Sequence, residues 1–286
     1  MKTTQSQATP KMVTQFFRLF TGPVCLILLL VPTAQAELVY SEVRPGITAS
    51  AHYTPGDEEA VPVIILHGFL QTHSFHTVQR LHDSLAESGY ALLSPNLSLG
   101  IDKRKQSLSC EAIHTHDLDM DVGELAHWVE WLHRKHGKPV VLIGHSAGGV
   151  VITRYLETKP ESPVNRGVLV SLSYLKGSDK GKAMGPLGDY KLGFCETYPS
   201  PPAAFRSYVD WDSSKMLQAL QNAHGRVSVI LGTADERIGK DWRGLLTEGG
   251  VRIVNIEGAN HFFDSAHEFD LLEAVEEVLS EEVANG

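Results

Sequence analysis

Lys138-Pro139-Val140-Val141-Leu142-Ile143-Gly144-His145-Ser146-Ala147-Gly148 is the stretch on which the reading of this chain turns. Val140 to Ile143 is an apolar, β-branched run with no polar face, as expected of a strand buried on both sides in a parallel sheet. From Ala147 to Leu156 the residues read as a helix that stops before Pro160. Between strand and helix stands a serine flanked by glycines. A turn that tight leaves no room for side chains at the flanking positions. It lifts the Ser146 hydroxyl clear of the sheet and leaves the next backbone N–H, that of Ala147, free to face developing negative charge.

Two later segments repeat the pattern of a functional group just past a strand. Arg226 to Leu231 is strand-like and ends in Gly232-Thr233-Ala234-Asp235; Val251 to Ile256 ends in Glu257-Gly258-Ala259-Asn260-His261. In open parallel sheets the carboxyl ends of the strands line the site, so residues far apart in sequence converge there. A serine hydroxyl alone is a poor nucleophile. It needs a base within hydrogen-bond reach and a third group that holds the base in the right tautomer. Ser146, His261 and Asp235 can fill those roles. Asp179, Asp189 and Asp264 are other carboxylates in the broad region, but the position directly after a buried strand favours Asp235. An earlier apolar run, Val61 to Leu66, opens into His67-Gly68-Phe69, where the N–H of Phe69 is a candidate second donor to an oxyanion.

Serine, then acid, then histidine, each after a strand, resembles the α/β-hydrolase superfamily, here with a single-glycine oxyanion loop. The resemblance covers nearly all the chain after about residue 45. It implies a serine hydrolase acting through an acyl-enzyme, most often on carboxylic or thioesters. Catalytic Ser146, Asp235 and His261 would be served by oxyanion donors Phe69 and Ala147, and no cofactor is needed. A peptidase or amidase on the same triad is the alternative, and a catalytically silent binding protein of this fold is a third reading.

The beginning of the chain reads differently. Phe20 to Val31 is an apolar stretch short for a spanning helix, with an uncleaved anchor as the alternative; it follows Lys2, Lys11 and Arg18 and leads to Ala34-Gln35-Ala36. Basic start, short apolar middle and small-x-small ending are the marks of a secretory signal over 1–36, with a catalytic domain over 37–286. The leader carries those three cations and no acidic residue, so its removal deepens the net charge from −9 to −12. Such a chain has no affinity by charge for nucleic acid or anionic lipid surfaces, and no stable membrane insertion is expected after cleavage. The expected partner is a small-molecule or lipid ester, met in the periplasm or outside the cell. Cys25 leaves with the leader. Cys110 and Cys195 remain as an even pair in an oxidising compartment, where a disulfide is expected.

Elsewhere strands and helices alternate. Ile47–Tyr53 and Tyr90–Leu93 read as strands, Thr77–Ser88 as a helix ended by Gly89, and Gly167–Leu172 as the strand after the Ser146 helix. A further helix carries Leu118, Val122, Leu125, Val129 and Leu132 at helical spacing, with Asp117, Asp119 and Asp121 suited to its positive N-terminus. The last helix opens with Ser265 and Glu268 at capping-box spacing. This alternation implies a mostly parallel sheet with helices on both faces. It breaks over 175–213, which reads as a lid-like irregular loop. There Tyr190, Phe194, Tyr198, Phe205 and Trp211 either form an acyl pocket or pack the loop to the body. Lys103, Arg104 and Lys105 read as a solvated basic turn. Of the 14 histidines, the His73/His76 and His114/His116 pairs are the only hints of a metal site, and neither offers a complete ligand set.

Overall fold

Val63 and Ile65 point to one side of the central sheet and Ile64 and Leu66 to the other, all four with no solvent exposure. A strand that is apolar on both faces requires layers above and below it, and the computed structural model supplies them. It describes residues 36–223 and 225–283, which fall within one compact unit. The leader expected over 1–36 lies outside the described residues but for Ala36.

In chain order, a hairpin of β1 (Glu37–Arg44) and β2 (Ile47–Thr54) precedes β3 (Pro62–Leu66), α1 (His76–Glu87) and β4 (Ala91–Pro95). A long excursion leads to α2 (Leu118–His136), β5 (Val140–His145), α3 (Ala147–Thr158) and β6 (Val164–Val170). Three short strands follow, β7 (Gly177–Met184), β8 (Leu187–Leu192) and β9 (Cys195–Ser200), then α4 (Pro202–Val209) and α5 (Ser213–Asn222). The chain returns to the sheet with β10 (Val227–Gly232), α6 (Lys240–Glu248), β11 (Arg252–Ile256) and α7 (His267–Val283).

The main sheet has the order β1-β2-β4-β3-β5-β6-β10-β11. From β4 to β11 every neighbour is parallel, while β2 runs antiparallel to both β1 and β4. Leu125 of α2, Ile152 of α3, Met216 of α5 and Trp242 of α6 share one core with Leu66 and Leu142. Leu81 of α1 and Val275 of α7 share the other with Ile65 and Ile143. Helices therefore cover both faces, as the alternation predicts. The α2 ends behave as their residues dictate: the Asp117 side chain accepts from the Met120 N–H, and Gly137 closes the helix at φ 66°.

The segment 175–213 is not irregular. β7, β8 and β9 form a separate antiparallel sheet joined by two-residue turns at Gly185-Pro186 and Gly193-Phe194. Both glycines sit at positive φ, 66° and 60°, the conformation such turns require of their first residue. Polar residues dominate β7, so no apolar alternation marks the strand. Cys195, at the start of β9, is joined by a disulfide to Cys110 in the excursion before α2.

Three smaller expectations also change. Ser265 adopts φ 63° and caps nothing through its side chain, and Glu268 turns away to pair with Arg80. Arg104 is not solvated but buried. Asp121 stands in the first turn of α2 with Asp119, but its side chain turns inward and accepts from the Tyr208 hydroxyl (2.5 Å), while Asp117 caps the helix.

Candidate active site

Ser146 stands at φ 53°, ψ −119° between the end of β5 and the first residue of α3. This conformation is rare for a residue with a side chain and persists because the surroundings fix it. A Cβ on Gly148 would lie 2.6 Å from the Leu66 carbonyl oxygen, and one on Gly144 would lie 2.7 Å from the Gly148 carbonyl carbon. Glycine at both flanks is thus a steric requirement of the turn.

His261 lies in the turn after β11 and Asp235 in the turn after β10. The Asp235 carboxylate can only accept, so His261 donates Nδ1–H to Oδ2 at 2.8 Å. Its Nε2 lone pair then faces the Ser146 hydroxyl, 3.0 Å away. Burial pushes the Asp235 carboxyl up, but the hydrogen bond and charge of His261, with a further bond from the Arg237 N–H, hold it below the usual carboxylate value. Asp235 is therefore ionised at neutral pH and can steady an imidazolium. The other three carboxylates are engaged elsewhere: Asp264 with His76 and Asn260, Asp189 with Lys180, and Asp179 with the Gly181 N–H.

Two groups that sequence reasoning missed hold the histidine by its backbone. The His261 carbonyl accepts from His145 Nε2–H (3.0 Å) and from the Ser171 hydroxyl (2.9 Å). Ser171 follows β6 at φ 51°, although the sequence reads as continuous strand through Leu172. Nothing in the run Val170-Ser171-Leu172-Ser173 signals that break. Burial, then the neighbouring His261, push His145 down to about 4, so it stays a neutral donor to that carbonyl.

After β3, the His67-Gly68-Phe69 loop is locked residue by residue. His67 Nδ1–H donates to the Gly68 carbonyl at 2.8 Å, and the Gly68 N–H donates to Gln71 Oε1 at 3.1 Å. His67 Nε2 accepts from the Leu97 N–H (3.1 Å) and from Arg104 (3.2 Å). Burial and then Arg104 push this imidazole down to about 3, which keeps it neutral and fixes the tautomer. With the Gly68 carbonyl held on one side, the next N–H, that of Phe69, is turned to the other. The Ala147 N–H, first in α3, has no intrahelical carbonyl to bond. Phe69 stacks on Tyr198 and meets Phe194 edge-on, so the loop rests on the β7–β9 insertion.

The cleft beside Ser146 has a volume of about 430 Å³. Of the five aromatic residues expected either to form a pocket or to pack the insertion, Tyr190, Tyr198, Phe205 and Trp211 are buried in the body. Only Phe194, 59 % exposed at the tip of the β8–β9 turn, lines the cleft. The paired histidines are engaged by other groups: His73 donates its backbone N–H to Asn96, His76 faces Asp264, His114 stacks on Tyr198 with its ring centroid 6.1 Å from that of His116, and His116 donates to Tyr208. Among the described residues, no three His, Cys, Asp or Glu side chains group as metal ligands.

Residues 61–217, more than half of the chain, match the sequence model of a family described as alpha/beta hydrolase fold. No curated protein sequence matches the chain. Among solved structures, Est1E from Butyrivibrio proteoclasticus is similar with a TM-score of 0.67 at 17% identity, over 86% of this chain and 99% of that one. The thioesterase domain from the curacin biosynthetic pathway gives 0.59 at 14% identity, over 84% and 99%. Dienelactone hydrolase from Anabaena variabilis gives 0.57 at 15% identity, over 85% and 95%. At these identities the likeness is one of fold.

Proposed function

The chain belongs to the alpha/beta hydrolase fold family, and from that premise we propose that it is an exported serine hydrolase cleaving carboxylic or thioesters through an acyl-enzyme. The observation that carries this reading is the unbroken hydrogen-bonded chain from Asp235 through His261 to Ser146, opening on a cleft. In the proposed cycle His261 Nε2 takes the hydroxyl proton as Ser146 Oγ attacks the acyl carbonyl, and Asp235 steadies the resulting imidazolium. The N–H groups of Phe69 and Ala147 receive the oxyanion, placed where negative charge develops rather than where the resting carbonyl lies. His261 then protonates the leaving alcohol, and water repeats the sequence to free the acid.

Export is supported by the leader pattern over 1–36 and by the Cys110–Cys195 disulfide, a bond that persists in oxidising compartments. Among the described residues no helix is long and apolar enough to cross a membrane. The substrate class is a small-molecule or lipid ester.

The test is fluorophosphonate labelling of wild type and Ser146→Ala, beside a panel of 4-nitrophenyl esters from acetate to palmitate and matched peptide amides. The reading predicts labelling of wild type only and faster cleavage of esters. Faster cleavage of amides would replace esterase by peptidase on the same triad. Absence of labelling would leave a binding protein.

A further inference from the structure

The cleft beside Ser146 is lined by no aspartate or glutamate, yet two cations, Lys176 and Arg237, face it. That is unusual in a chain of net charge −9. Each cationic head is held against an aromatic ring: the Lys176 ammonium lies 5.1 Å from the centroid of Tyr174, and the Arg237 guanidinium 4.8 Å from that of Phe262. Among the described residues neither makes an ion pair, whereas Arg80, Arg154, Arg252, Lys180 and Lys191 each face a carboxylate.

Their backbone positions are tied to the site. The Arg237 N–H donates to Asp235 Oδ1 (3.0 Å), so this cation rides on the turn that carries the acid. The Lys176 carbonyl accepts from the Gly193 N–H (2.8 Å), which couples the start of the insertion to the Gly193-Phe194 turn at the cleft. Stacked cations with no carboxylate partner, beside low-dielectric aromatic walls, concentrate positive potential where a ligand enters. A guanidinium also offers paired donors that match a carboxylate. The walls, Phe69, Phe194 and Phe262, suit an apolar or aromatic body between that anion and the reacting carbonyl.

We propose that this cleft selects esters that carry an anionic group, a carboxylate above all, on an aromatic or short aliphatic body, with Lys176 and Arg237 binding the anion. The proposal rests on the ester-hydrolase reading and adds the charge of the substrate to it.

The experiment compares kcat/KM for mono-4-nitrophenyl glutarate with 4-nitrophenyl pentanoate, and for 4-carboxyphenyl butyrate with phenyl butyrate, after subtraction of uncatalysed rates. The pairs place the carboxylate on the acyl and on the alcohol side. In at least one pair the anionic member is favoured about tenfold at low ionic strength, the scale set by two partly exposed charge pairs. The preference shrinks with added salt and collapses toward one in a Lys176→Gln/Arg237→Gln double variant. Equal or better turnover of both neutral esters overturns the proposal, as does a preference that the double variant keeps. If none of the four esters is turned over, the ester reading has failed. Calorimetric titration with glutarate and 4-hydroxybenzoate then tests the subsite alone: binding that the double variant loses sustains it, and no binding overturns it.

Discussion

The guanidinium of Arg104 reaches within 3.2 Å of Nε2 of His67, whose Nδ1–H holds the Gly68 carbonyl in the loop after β3. Arg104 also donates to the Leu97 and Gln106 carbonyls, both at 2.8 Å, so it knits the excursion before α2 to the His67-Gly68-Phe69 loop. Through His67 it sets the direction of the Gly68–Phe69 peptide. Arg104→Met should therefore lower kcat by about tenfold or more with little change in KM, since loss of one whole oxyanion donor costs about 10²- to 10³-fold. It should also destabilise the fold by about 1–3 kcal/mol for each buried carbonyl left without a donor. Steady-state kinetics and urea unfolding check both effects. A change confined to KM would remove Arg104 from this role.

His261→Ala should be about as damaging as Ser146→Ala, because the two act as one unit, with losses on the order of 10⁶-fold in kcat and a residue left by oxyanion donors and binding. Asp235→Asn should cost about 10⁴-fold, through loss of the tautomer that aims Nε2 at the hydroxyl. Ser146→Ala should unfold near the wild-type temperature. Unchanged kinetics in Asp235→Asn would move the acid to another carboxylate.

Stability should fall on mild acidification. His67 and His82 are pushed down to about 3 and His145 to about 4, each first by burial, and all three are buried. In the unfolded chain they titrate near 6.5, so below that pH the unfolded state binds protons that the folded state refuses. Each contributes about 1.4 kcal/mol of lost stability per pH unit between about 6.5 and its folded value. Asp235 acts with the same overall sign but lower: its carboxyl is held below the usual value, so its stabilisation is present above the ordinary carboxylate range and lost as pH falls through the folded value. Melting temperatures from pH 8 to 4 test this. His82 lies outside the catalytic chain, bonded to Thr54 and Ser94, and His82→Gln should reduce the slope by about one proton. A flat melting profile between pH 7 and 5 would contradict the account.

The Cys110–Cys195 disulfide closes a loop of sequence separation 85. In the chain-entropy model such a closure stabilises by about 4.5 kcal/mol. Cys195 opens β9, whose Tyr198 supports Phe69. Cys110→Ser/Cys195→Ser should therefore lower the melting temperature and raise KM more than it lowers kcat. Equal melting temperatures for oxidised and reduced protein would show that the packing of the insertion suffices.

What was legible in the sequence follows from where physics leaves a short-range signature. Val140–Ile143 before Gly144 and Asp235 after Leu231 are buried strands ending in functional turns, and both the apolar run and the steric need for glycine are local. The β7–β9 sheet was hidden because Gly177-Ser178-Asp179-Lys180 has no apolar alternation; only the Gly185-Pro186 and Gly193-Phe194 turns marked it. Arg104 reads as a surface residue because a lysine stands on each side, while its partners, Leu97, Gln106 and His67, are set by the path of the excursion. Ser171 and His145 act on a backbone carbonyl of a residue far along the chain, and no spacing rule registers that.

The central claim is that Ser146 becomes acylated. The most direct measurement is intact mass and peptide mapping of protein quenched in acid within the first turnover of a 4-nitrophenyl ester. The account predicts one added acyl group per chain, on the peptide holding Gly144-His145-Ser146, absent in Ser146→Ala and accumulating with a burst of nitrophenolate. Turnover by Ser146→Ala at the wild-type rate, or an acyl group on any other residue, would contradict it.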